Sequence, residues 1–285
     1  MNKLSIQKRA TILGLMVEGT SIRSISRITG ASKNTIVKLM ADAGSAFLDY
    51  QDRILRNLPC TRIQCDEIWS FVYAKAKNAP ALMKAAGEAG DVWTWTAICA
   101  DTKLIPCWHV GTRDADAAQA FMTDLAARLA NRVQLTTDGH RAYLQAVEDV
   151  FGADIDYGVL IKIYGAPDGR DNDRRYSPAE CTGVLKQVVT GAPDMAHLST
   201  SFVERQNLTM RMSIRRFTRL TNAFSKKLEN HVYAIAIYMM HYNFVRIHKS
   251  LRVTPAMAAG VSPSLLSLED MVKIIDEHQA RKISN

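Results

Sequence analysis

The spacing of apolar residues changes once along the chain, at Pro59, and that change restricts the fold more than any other feature. Before it, apolar side chains recur every three or four residues, the period that gathers them on one face of a helix. After it, segments such as "TRIQCDEIWSFVYA" and "DVWTWTAICA" are dense in the β-branched and aromatic residues that suit pleated strands. The pattern predicts an all-α unit followed by a body that contains a sheet. At 285 residues and 47% apolar content the chain can bury a core and form more than one domain.

Three helices are predicted before Pro59. Ile6, Arg9, Ala10, Leu13 and Val17 form a stripe from Ser5 to Glu18 that Gly19 ends. In "TSIRSISRITG", Thr20 or Ser21 caps a second helix with Ile22, Ile25 and Ile28 on one apolar face, and Gly30 supplies the turn. "ASKNTIVKLMADAG" begins a third with Ser32 as cap, Ile36, Leu39 and Met40 facing inward, and Gly44 beyond its end. Short helices joined by a glycine turn match a helix-turn-helix over residues 1–44, in which the last helix enters the DNA major groove. Lys33, Asn34, Thr35 and Lys38 are its expected readers, since Asn suits adenine edges and Lys suits phosphate or guanine. A protein-contact module would show the same pattern. Residues 45–59 continue as a linker helix.

Beyond Pro59 the order reads strand, strand, strand, helix, strand, helix, strand. That describes an α/β layer, a mixed sheet flanked by helices. Trp69, Trp93, Trp95 and Trp108 all fall in predicted strands, where core packing is expected rather than base stacking.

Charge points to the partner. The net charge is +8, divided as +5 over residues 1–58, −4 over 59–200 and +7 over 201–285. Basic ends attract phosphate backbones by releasing counterions, so double-stranded DNA is expected. The basic stretches lack the Trp/Phe-rich face that membrane binding needs. "MNKLSIQKRA" has no signal-peptide core, and the longest apolar run, Val232 to Met240, is too short to span a bilayer, so a soluble cytoplasmic protein is expected. Five cysteines without a repeated CxxC pattern read as free thiols rather than as a disulfide frame or zinc site.

Three acidic residues stand out by position. Asp66 lies in the first strand, Asp138 ends a later one beside Gly139, and Glu204 opens a helix crowded by Arg205, Arg211, Arg215 and Arg216. A strand, a neighbouring strand end and a helix packed on the sheet could bring the three together, and Mg²⁺ requires oxygen ligands of this kind. Two such ions can assist attack on a phosphodiester and departure from it.

"QCDEIWSF", "LTTDGH" and "TSFVERQN", with "HYNFVRIHKSLRVTPAMAAG", resemble a bacterial insertion-sequence transposase of the DDE class, whose ribonuclease H-like core is shared with retroviral integrases. The resemblance covers nearly the whole chain. It implies a ribonuclease H-like catalytic domain over residues 60–250, preceded by the all-α helix-turn-helix domain and followed by a tail at 251–285. It implies that Asp66, Asp138 and Glu204 are the catalytic carboxylates and hold two Mg²⁺ ions, with Mn²⁺ able to substitute. Glu67 rivals Asp66, but neighbouring strand residues face opposite ways, and the family pattern selects Asp66. Arg205, Arg211 and Arg215 would contact DNA. Element ends and target DNA would be the partners, in a homodimer or larger assembly at the bacterial nucleoid.

The gap from Asp138 to Glu204 exceeds that of the integrase branch, which implies an insertion at residues 165–200, read as an acidic loop. Asp168, Asp171 and Asp173 within it lack the rest of a calcium-binding pattern. A tyrosine recombinase built on Tyr242, His241 and His248 would leave the carboxylates unexplained. Two alternatives stay open: a non-catalytic DNA-binding regulator with the same fold, and a nuclease that cuts without joining.

Overall fold

The computed structural model describes residues 3–165, 181–218 and 222–284. Its helices and strands run, in chain order, α1 (Ile6–Val17), α2 (Ile22–Thr29), α3 (Lys33–Ile54), β1 (Arg62–Val72), α4 (Ala81–Ala85), β2 (Gly90–Cys99), β3 (Trp108–Gly111) and α5 (Ala115–Ala126). They continue with β4 (Gln134–Thr137), α6 (Ala142–Phe151), β5 (Asp156–Tyr164), β6 (Cys181–Thr190), α7 (Ser201–Ser213), α8 (Leu228–Phe244), α9 (Pro255–Ala258) and α10 (Leu268–Ser284). No helix among the described residues is long and apolar enough to cross a membrane.

The first three helices start where their serines allow. Ser5, Ser21 and Ser32 each accept a hydrogen bond from the backbone N–H three residues on, which satisfies a donor that the first helical turn leaves open. Gly30 then takes a left-handed φ of 69°. Ile25 and Ile36 are fully buried, but Ile28 is 63% exposed. Ile22 and Ile28 lie about 120° apart around a helix, so one packing partner does not cover both.

Gly44 does not end the third helix. α3 runs unbroken for 22 residues, so the predicted linker helix is its second half. Gly44 instead marks where α3 meets α8: a Cβ placed on it would lie 2.3 Å from the Cβ of Tyr233. The chain's last helix also joins this region. Residues of α10, including Met271, Val272 and Ile275, share a core with Ile12, Leu13 and Ile36. Arg9 donates two hydrogen bonds to Asp276 at 2.6 and 2.8 Å, tying α1 to α10.

The body is a six-stranded mixed sheet in the order β3-β2-β1-β4-β5-β6, compatible with a ribonuclease H-like arrangement. β1, β2 and β3 pair antiparallel, β1, β4 and β5 pair parallel, and β5–β6 is antiparallel. Alternation along β1 divides the interior. Cys65 and its neighbour across the ladder, Ala97, join Phe121 of α5 and Tyr143 of α6 in one apolar cluster. Ile68 on the opposite face joins Val203 of α7 with Ile235 and Met239 of α8 in another.

Two further sequence expectations need correction. Part of the segment read as an acidic loop, residues 181–190, is β6, an edge strand exposed on both faces; Asp168, Asp171 and Asp173 lie outside the described residues. The strand expected across "TKLIPCWHVG" is confined to Trp108–Gly111. Core packing holds for three tryptophans: Trp95 is buried against Phe121 and Tyr143, and half-buried Trp93 and Trp108 pack on the two apolar clusters, while half-buried Trp69 lies against Phe71.

Candidate active site

Parallel pairing of β1 with β4 sets two carboxylates side by side. Gln64 is level with Thr136, and the same register carried two residues on aligns Asp66 with Asp138, which has left the ladder. Asp138 is held by the turn after β4, its Oδ1 accepting the His140 N–H at 2.9 Å. Asp66 faces α7, where Asn207 Nδ2 donates to its Oδ2 at 2.8 Å, and the Glu67 N–H donates to its Oδ1 at 2.8 Å. Burial lifts the Asp66 carboxyl to about 6; the negative charges of Asp138 and Glu204 add to the rise, and the two hydrogen bonds oppose it.

Glu204 comes from the first turn of α7, and a glutamine fixes that turn in place. Thr200 provides no side-chain cap; instead Gln64 Oε1 accepts the N–H groups of Phe202 and Val203 at 2.8 and 3.2 Å. The side chain of a β1 residue thus caps the helix that carries the third carboxylate. The Thr200 hydroxyl donates to Glu204 Oε1 at 2.6 Å, and the Lys162 ammonium pairs with Oε2.

Asp66, Asp138 and Glu204 line one cavity of about 770 Å³, together with Arg113, Arg141 and Lys162. Acidic and basic groups therefore share its wall. Hard divalent cations take oxygen ligands, which the carboxylates of Asp66 and Asp138 offer, while both oxygens of Glu204 are engaged by Thr200 and Lys162. Among the described residues, the acidic group whose ligand atoms all lie within 4.8 Å of one another is Asp66, Glu67 and Asp138, and Glu204 lies outside it. The expectation that strand alternation would keep Glu67 away from this cluster fails. Because Asp138 lies beyond the last rung of β4, side chains from both faces of β1 reach it.

Glu67 differs from the others in its surroundings. Its side chain is 1% exposed, and its Oε2 accepts the Arg113 Nε–H at 3.1 Å. Burial pushes its carboxyl up to about 7; the Tyr143 hydroxyl opposes this, as does Arg113, while the charges of Asp138 and Asp66 add to it. Tyr143 lies close to Glu67 without a regular hydrogen bond, and both its hydroxyl and Glu67 Oε1 lack one.

The basic residues chosen from the sequence are distributed differently. Lys33, Asn34, Thr35 and Lys38 are exposed on the first turns of α3, and none of them lines the acidic cavity. α7 buries Val203, Gln206, Asn207 and Met210, leaving Arg205 exposed and Arg211 half-buried; Arg215, in the short turn that follows, is exposed. Arg113, His140, Arg141, Lys162 and Asn207 were not picked out beforehand. Asn207 alone carried a signal: it stands one helical turn after Glu204, and Asn is a weak helix former without a side-chain partner.

No protein-family model matches the chain, and no curated protein matches its sequence. Among solved structures it is similar to piggyBac transposase in a synaptic complex with hairpin DNA, with TM-score 0.41 and 8% identity over 96% of this chain and 71% of that one. It is also similar to endonuclease V from Bacillus subtilis, with TM-score 0.26 and 12% identity over 74% of this chain and 92% of that one. Both likenesses are weak, and likenesses of this order carry no argument about function.

Proposed function

We propose that the protein is a DDE-type DNA transposase that binds the ends of an insertion sequence and catalyses DNA strand cleavage and strand transfer. The observation that carries the reading is the convergence of Asp66, Asp138 and Glu204, from three distant segments, on one cavity that cations also line. The sequence resemblance independently selects the same three residues.

In this reading Asp66, Asp138 and Glu204 would hold two Mg²⁺ ions, with Mn²⁺ as a substitute. Bound there, the ions would supply charge stabilisation for both the attacking and the leaving oxygen of a phosphodiester. The chain's own residues do the positioning. Asn207 orients Asp66, Gln64 anchors the turn that presents Glu204, and Lys162 offsets the negative charge gathered around the cavity. The reaction is hydrolysis at an element end followed by attack of the freed 3′-hydroxyl on target DNA, with no covalent protein–DNA intermediate.

α1 to α3 would serve as the helix-turn-helix domain of residues 1–44, with Lys33, Asn34, Thr35 and Lys38 at the major groove. Arg205, Arg211 and Arg215 would contact phosphates beside the catalytic domain. Pairing of two element ends calls for a homodimer or larger assembly.

The test is cleavage and joining of a labelled duplex taken from the DNA that flanks the gene, with Mg²⁺, comparing wild type with Glu204→Gln and scoring binding in the same samples. Wild type should cut and join, and the variant should bind without doing either. Wild type that cuts without joining is a nuclease. Wild type that binds without cutting is a DNA-binding regulator, and a variant that cuts normally removes Glu204 from the site.

A further inference from the structure

Arg113 occupies a position that the three carboxylates do not explain. It follows β3 and precedes α5, and its guanidinium lines the acidic cavity. Three contacts hold it. Nε donates to the buried Glu67 at 3.1 Å, the guanidinium carbon lies 4.7 Å from the centre of the Trp93 ring, and Nη2 is 3.9 Å from Asp138 Oδ2.

We infer that Arg113 is a substrate-positioning residue that grips a DNA phosphate at the cleavage position, and that Glu67 is its anchor rather than a metal ligand. The inference rests on the proposed reading of the cavity as a DNA-cleaving site. An arginine bonded through Nε keeps its two terminal nitrogens as a planar fork, the shape that meets two phosphate oxygens at once. Stacking on Trp93 fixes the plane of that fork without using a donor. A side chain already ordered by a carboxylate and a ring loses little freedom on meeting its ligand. The 3.9 Å separation from Asp138 is too long for a hydrogen bond, so the fork is not consumed by that carboxylate.

Glu67 fits the anchoring role better than a metal-binding one. Its side chain is 1% exposed, against 37% for Asp138, and it does not line the cavity. The Oε2 it gives to Arg113 is engaged in that bond, and its Oε1 is buried without a partner. This accounts for a carboxylate next to Asp66 on the opposite face of β1: one side chain serves the cavity and the other holds the arginine that serves it.

The experiment compares wild type, Arg113→Ala, Arg113→Lys, Glu67→Gln and Asp66→Asn in three assays. Single-turnover cutting is measured on the element-end duplex with Mg²⁺, both as ordinary DNA and with a neutral methylphosphonate replacing the phosphate at the cleavage position or beside it. Duplex affinity is measured in Ca²⁺, and Mn²⁺ affinity by electron paramagnetic resonance without DNA. A lost charge-assisted phosphate contact predicts a roughly ten- to hundredfold slower reaction for Arg113→Ala. Arg113→Lys should recover only part of the rate, because lysine lacks the fork and the Nε bond to Glu67. One methylphosphonate should slow wild type to the same extent yet leave Arg113→Ala no slower than it already is.

Mn²⁺ affinity should survive in Arg113→Ala and Glu67→Gln and fall in Asp66→Asn. Equal sensitivity of wild type and Arg113→Ala to every methylphosphonate overturns the phosphate contact. A loss of Mn²⁺ affinity in Glu67→Gln as large as in Asp66→Asn overturns the anchoring role. If wild type binds the duplex but never cuts it, the catalytic reading falls separately, and unchanged duplex affinity in Arg113→Ala then overturns the contact as well.

Discussion

Replacing Gly44 with alanine should destabilise the protein even though alanine is the better helix former. In α3 the exchange removes a helix-interior glycine and would, on propensity alone, add about 1 kcal/mol of stability. The added methyl, however, would stand 2.3 Å from Tyr233 Cβ and 2.5 Å from its Cγ and Cδ1. Ordinary contact between such carbons begins near 3.5 Å, so the shortfall is on the order of 1 Å. Tyr233 Cβ is fixed to the α8 backbone, so no rotamer change removes the clash and the two helices must separate. Overpacking of this kind costs about 1–3 kcal/mol, and a clash against a backbone-fixed Cβ falls at the upper end, which leaves a net loss of up to about 2 kcal/mol after the propensity gain. Urea unfolding of wild type and variant measures it as a lower midpoint at unchanged slope. The double variant Gly44→Ala/Tyr233→Ala loses the ring atoms but keeps the Cβ that would stand at 2.3 Å, so it relieves only part of the overpacking. A Gly44→Ala protein as stable as wild type, or more so, would refute the close crossing of α3 and α8.

Two further predictions concern pH. His231 is fully buried, with Nε2 3.1 Å from Ser70 Oγ, and burial reinforced by the Arg216 charge depresses it to about 3. Its unfolded value is about 6.5, so its contribution is complete above that pH and declines as the pH falls towards the folded value. The stability difference between wild type and His231→Gln should therefore shrink by up to about 2 kcal/mol between pH 6.5 and 5, and a constant difference would count against a neutral buried imidazole. Asp276 is held down to about 2, by Arg9 first and Lys3 second. Asp276→Asn should lower stability at pH 7 by about 1–2 kcal/mol, a figure reduced for solvent screening of a carboxylate one-third exposed. That loss should fade as the pH falls from about 4 through 2, and equal melting temperatures at pH 7 would show that the α1–α10 pair contributes nothing.

Local chemistry made much of this architecture readable. Serine caps and glycine turns act within a few residues, so the starts of α1, α2 and α3 could be placed from Ser5, Ser21 and Ser32. Three β-branched and aromatic runs in succession, then two more each preceded by a helical stripe, are enough to list β1 to β5 in order. The meeting of Asp66, Asp138 and Glu204 on one cavity could also be anticipated, since each stands at a distinctive place on its element. The failures are non-local. Gly44 reads as a helix stop because a close helix crossing leaves no trace in neighbouring residues. β6 shows no inside and outside because both of its faces are exposed, so alternation carries no signal. Arg113 could not be found because its platform, Trp93, belongs to β2 and its anchor, Glu67, to β1.

The contact between α1 and α10 sets an order of events during synthesis. Ile12 and Leu13 are buried in the core that Met271, Val272 and Ile275 help to form, and Arg9 finds its carboxylate at Asp276. A nascent chain exposes its N-terminal residues first, and domains generally begin to fold as they emerge. Here every strand of the sheet leaves the ribosome before α10 does. The unit formed by α1 to α3 is consequently closed only after the sheet has been made, and a ribosome that stalls before residue 268 leaves α1 without its contact to α10.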